Sequence, residues 1–145
     1  MREIFFSRLR RVDFFLFSLY NKTDMAHYRC EESYKTDFCD VDFKDELKIS
    51  ALLSRFESIA SKSADELEFG YKYLKEHGYA FFLAEIRCVL SRAVPLYETL
   101  SLRTWPTPPS YVVFGREYEG YAESGEKILS ATSRWCAVDF STGKL

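Results

Sequence analysis

Residues 42–64 read DFKDELKISALLSRFESIASKSA, and the spacing of their apolar side chains decides the fold. Ile49, Leu52, Leu53, Phe56, Ile59 and Ala60 recur at i, i+3, i+4, i+7, i+10 and i+11, which places them on one stripe of a helix. The stretch is therefore read as a long core helix. Asp42 is placed to cap its N-terminus, and Asp45 and Glu46 in the first turn complement the helix dipole. A second, shorter helix is expected over 64–76, with Leu67, Tyr71 and Leu74 inward and His77-Gly78 as its stop.

Outward from that helix the pattern becomes strand-like. Upstream, YRCEESYKTDFCDV (28–41) reads as a first strand. Downstream, YAFFLAEIRCVLSR (79–92) alternates from Ala84 onward, with Ile86, Cys88 and Leu90 on one side and Glu85, Arg87 and Ser91 on the other. ETLSLRTW (98–105) alternates again and is closed by Pro106, Pro108 and Pro109, since proline has no N–H for a ladder. Residues 110–121 and 127–140 form a last pair, joined by a turn at Glu123-Ser124-Gly125-Glu126. Strand, long helix, short helix and four strands make an α+β arrangement with one helix packed on a curved antiparallel sheet. This matches the hotdog fold, in which a sheet wraps a central helix. A single wrapped sheet leaves an edge strand open, so a homodimer through that edge is expected.

Bulk properties narrow the function classes. A chain of 145 residues suits one compact domain, here 27–145, with 1–26 as an N-terminal extension whose basic start and broken apolar stretch suit neither a signal peptide nor stable membrane insertion. Positive and negative residues are interspersed and the formal charge is -2, which argues against nucleic acid as a partner. Cys30, Cys39, Cys88 and Cys136 lack ligand spacing and His27 and His77 are the only histidines. No metal or cofactor is expected, and a reduced, cytoplasmic protein fits best.

From Pro95 onward the chain resembles the N-terminal half of the acyl-acyl carrier protein (acyl-ACP) thioesterases. The residues that carry the likeness are Pro95, ETLSLRTWP (98–106), Phe114 with Arg116, Gly125, Ser133, Trp135, Asp139 and Thr142. The resemblance implies a double-hotdog enzyme that hydrolyses the thioester between a fatty acyl chain and the phosphopantetheine arm of acyl carrier protein. It also implies that the catalytic Asp-x-Asn-x-His motif belongs to the second hotdog. The ending SRWCAVDFSTGKL (133–145) is turn chemistry with no returning strand, so the chain reads as complete as a fold unit and incomplete as an enzyme. Within it, Asp40-Val41-Asp42-Phe43-Lys44 looks like a degenerate copy of that motif. Asp40 and Asp42 are first turn and cap residues, and alternatively the carboxylates of a single-hotdog thioesterase. Leu53, Phe56 and Trp105 are core residues that could also border an acyl pocket. A non-catalytic, homodimeric acyl-binding module is the remaining alternative. Arg116 is expected to be a charge partner on the sheet face, and Lys44, Arg87, Arg92 and Arg103 are candidate contacts to acidic carrier protein.

Overall fold

The computed structural model describes residues 27–110 and 113–143; the extension 1–26 lies outside them. Among the described residues five strands form one antiparallel sheet: β1 (Cys30–Lys35), β2 (Tyr79–Leu90), β3 (Thr99–Pro106), β4 (Val113–Tyr121) and β5 (Lys127–Asp139). Their order across the sheet is β1-β3-β4-β5-β2. Helix α1 (Ile49–Glu66) lies on the concave face, and a short α2 (Tyr71–Glu76) follows it. This is the α+β hotdog arrangement, with β1 and β2 as the two edges among the described strands.

Alternation in the strands explains which face is buried. In β3 Leu100, Leu102, Thr104 and Pro106 point inward, and in β4 Arg116, Tyr118 and Gly120 do. The register sets Thr104 opposite Tyr118 and Leu102 opposite Gly120, then Tyr118 opposite Ala131 and Gly120 opposite Leu129. Against these rows α1 buries Leu52, Phe56, Ile59, Ala60 and Ser63. A Cβ on Gly120 would come within 2.9 Å of Leu129 Cβ, so a glycine there lets the two strands keep their ladder while Leu102 and Leu129 close over it. β2 carries a bulge between Leu83 and Glu85. The extra residue shifts the inward parity, so that Tyr79 and Phe81 before it and Ile86 and Leu90 after it all reach the helix side. The hairpin turn is where it was expected: Gly125 has φ +85, and Ala122 and Glu126 close the turn with a 2.8 Å backbone bond.

Several boundaries differ from the sequence reading. The long helix starts at Ile49, with Lys48 at its N-cap and no side-chain cap. Asp42 instead accepts backbone N–H bonds from Lys44 (2.8 Å) and Glu46 (3.3 Å). It thereby builds a tight turn in which Asp45 takes φ 60 and Val41 bridges Leu47. Asp45 and Glu46 consequently precede the helix. Ile49 is exposed, and the buried stripe runs on to Ser63 instead. The helix expected to begin at Ala64 is the continuation of α1 to Glu66, and only Tyr71–Glu76 forms a separate turn-and-a-half in which Leu74 is buried and Tyr71 is exposed. The first strand is shorter than expected, because Asp37 caps a 3₁₀ turn at Phe38–Asp40 through reciprocal side-chain bonds.

Candidate functional site

The buried stripe of α1 changes size along its length. Its first turns present Leu52, Phe56 and Ile59, which fill the gap to the sheet; its last turns present Ala60 and Ala64. Small side chains cannot reach the sheet at its usual distance from a helix. A cavity of about 260 Å³ results, close to the lower end of small-ligand pockets. Ala60 and Ala64 form its roof, Phe69 and Leu74 one end, Phe81 and Pro106 the flanks, and Phe114, Arg116 and Trp135 its floor.

Strand register assembles that floor. Phe114 pairs with Trp135 and Arg116 with Ser133 across β4 and β5, so two motifs that lie apart in sequence become one patch. Phe81 and Phe114 meet with ring centroids 5.0 Å apart, a spacing typical of favourable aromatic pairs. Trp135 Nε1 donates to Ser133 Oγ at 2.8 Å, and Ser133 Oγ donates to Tyr118 Oη at 3.3 Å. Tyr118 in turn packs on Phe56 at 4.6 Å. The indole is thus fixed by a buried polar chain and shows its apolar face to the cavity. Gly115 lies at the rim, where Thr107 N–H donates to its carbonyl at 2.9 Å and Thr107 Oγ1 occupies the space of a side chain.

Arg116 is the exceptional group. It is 6% exposed, against the expectation of a charge partner on an exposed sheet face. Nη1 donates to Ser63 Oγ at 2.8 Å and Thr104 Oγ1 at 3.3 Å, and Thr104 Oγ1 donates onward to the Glu117 carbonyl at 2.8 Å. Among the described residues no carboxylate forms an ion pair with it. Burial pushes the guanidinium pKa down, yet arginine stays protonated in proteins. The cavity therefore has apolar walls and a cation set into its floor.

The other sequence candidates lie elsewhere. Leu53 and Phe56 belong to the packed core near the middle of α1, and neither they nor Trp105 line the cavity. Trp105 carries the Arg29 guanidinium over its ring at 3.9 Å. Asp40 is held by the 3₁₀ turn and approaches Arg55 at 3.6 Å, and Asp42 is occupied by its own turn. Both acids sit before the start of α1, whereas the cavity is under its last turns. Arg87, Arg92 and Arg103 are ion-paired with Glu85, Glu98 and Glu31. Among the described residues no cluster of His, Cys, Asp or Glu is arranged to hold a metal, the four cysteines form no disulfide, and no helix is long and apolar enough to cross a membrane. Sequence reasoning placed Ala60 on the helical stripe without a site role and missed Ala64, Phe69 and Phe81; the step from large to small along the helical stripe was the available signal.

A family model described as the acyl-ACP thioesterase N-terminal domain matches residues 27–145. No curated protein matches. Among solved structures, an acyl-ACP thioesterase from Bacteroides thetaiotaomicron superposes with a TM-score of 0.79 at 23% identity, over 83% of this chain and 49% of that one. A DHNA-CoA thioesterase from Staphylococcus aureus superposes at 0.73 with 16% identity, over 80% of this chain and 78% of that one. A 1,4-dihydroxy-2-naphthoyl-CoA thioesterase from Synechocystis gives 0.71 with 13% identity, over 81% and 87%. The chain spans about half the length of the Bacteroides protein.

Proposed function

The chain belongs to the acyl-ACP thioesterase family through the N-terminal domain at 27–145, and from that premise we propose that it is the acyl-binding half of an enzyme that hydrolyses fatty acyl thioesters of acyl carrier protein in fatty acid biosynthesis. The observation that carries this reading is the apolar cavity between the last turns of α1 and the sheet, floored by Phe114 and Trp135. An acyl chain entering it leaves water for aromatic and aliphatic walls, a gain of about 0.8 kcal/mol per buried methylene. Among the described residues that line the cavity there is no carboxylate and no imidazole. The groups that activate water are accordingly proposed to come from a second hotdog bearing the Asp-x-Asn-x-His motif. The β2 edge supports this reading: among the described residues it is an outer sheet edge with Phe82, Leu83 and Val89 exposed, the kind of edge along which another sheet continues a ladder.

The test is binding of pantetheine thioesters of increasing acyl length, followed by the fluorescence of Trp135 in the cavity floor. Affinity is expected to rise roughly tenfold for every two methylenes until the cavity is full, and then to level. Ala64→Phe, which fills the roof, should move that plateau to shorter chains. Affinity independent of chain length, or a plateau unmoved by a folded Ala64→Phe protein, overturns the reading.

A further inference from the structure

The cavity holds a group that an unsubstituted acyl chain does not need. Arg116 is 6% exposed and lines the cavity, yet its described partners are two hydroxyls, both bound through Nη1. A buried cation whose neighbours are neutral is unfavourable unless something compensates it. The side of the guanidinium left over is the one that matters. Nε and Nη2 carry parallel N–H bonds, the edge that grips a carboxylate with two hydrogen bonds, and neither donates to a described residue. These nitrogens are not sealed in either: the one fully buried side-chain polar atom without a partner among the described residues is Tyr34 Oη. Ser63 and Thr104 hold the planar group from its other side, so the free edge is fixed in orientation before any ligand arrives.

We propose that Arg116 is a carboxylate receptor in the floor of the acyl cavity, so that the cavity takes apolar chains that end in a carboxylate. The proposal rests on the acyl-binding reading above and narrows it to a substrate class. Two sources present this chemistry: a free fatty acid that enters carboxylate first, and an acyl thioester whose far end is itself a carboxylate. The first would make the product of the proposed hydrolysis a competing ligand of the same cavity. The second would make dicarboxylic half-thioesters preferred substrates.

The experiment compares four probes of one chain length at neutral pH by Trp135 fluorescence and calorimetry: decanoate, decanol, decanoyl-pantetheine and the half-thioester of decanedioic acid with pantetheine. At least one carboxylate probe is expected to bind roughly tenfold or more tighter than its neutral counterpart. Which pair shows the preference identifies the source. Arg116→Met should abolish that preference, and Arg116→Lys, which keeps charge but lacks the fork, should recover only part of it. Equal binding of the members of both pairs to the unaltered protein overturns the proposal while leaving the acyl reading intact, and that comparison needs no variant to fold. No binding by any probe overturns the acyl reading and the proposal with it. A preference retained in folded Arg116→Met also overturns it, because the carboxylate is then held elsewhere.

Discussion

At the scale of single residues, Asp42 and Phe56 show how much identity depends on neighbours. Both were candidates from sequence, and the structure occupies both. Asp42 Oδ1 accepts the N–H groups of Lys44 and Glu46, so Asp42→Ala is expected to lower stability by about 1 kcal/mol, read as a shift in the urea midpoint, with acyl binding unaltered. A loss of acyl binding at unchanged stability would show that the carboxylate has a task beyond its turn. Phe56 is buried against Tyr118, and truncating a large aromatic in a packed core costs about 3–5 kcal/mol. Phe56→Ala should therefore show its main effect in the unfolding midpoint. Ala64→Phe provides the contrast, since it adds atoms to open space and should act on ligand binding more than on folding. Arg116 was legible as part of a motif but its burial was not: a charged residue alternating in a strand reads as solvent-facing until the partner strands and helix are known.

Among elements, the β2–β3 connection has an electrostatic clamp. Arg92 follows β2 and Glu98 precedes β3, and the guanidinium grips the carboxylate at 2.6 and 2.9 Å. The hydrogen bond from Arg92 holds the Glu98 carboxyl below its ordinary pKa. A depressed carboxylate stabilises the fold fully above its unfolded pKa of about 4.3 and ceases to do so as pH falls through the folded value. Stability measured by urea should thus fall on acidification below about pH 4, and Glu98→Gln should lessen that fall while lowering stability at neutral pH. An identical acid profile in the variant would mean that the clamp contributes nothing. The α1 stripe was readable from spacing, whereas its first residue was not, because a run of acids before a helix suits a cap and a preceding turn equally well. Here the Val41–Leu47 bridge and the Glu46–Pro95 bridge tie those acids to the loop.

For the whole molecule, the exposed β2 edge is the unbalanced feature. Phe82 is 55% and Val89 71% exposed on a strand that, among the described residues, has β5 on one side only. Unpaired N–H and C=O groups beside apolar side chains favour pairing with another sheet. The isolated chain is expected to give the mass of a dimer by light scattering at high concentration, and Phe82→Lys with Val89→Lys should return it to a monomer. A monomer at every concentration would remove a second copy of this chain as the edge's occupant.

Sequence by itself determined the order of elements, the helical stripe, the hairpin turn and the family, because each is written in short-range periodicity or in residue spacing along one strand. Only the tertiary structure decided that Phe114-x-Arg116 and Ser133-x-Trp135 are one patch, that the end of α1 stands over it with a gap, and that Arg116 is buried there without a counter-charge among the described residues. The reason is physical. Register and burial are set by contacts between residues far apart in the chain, and a helical stripe states which face turns inward but not whether its side chains are long enough to fill the space beneath them.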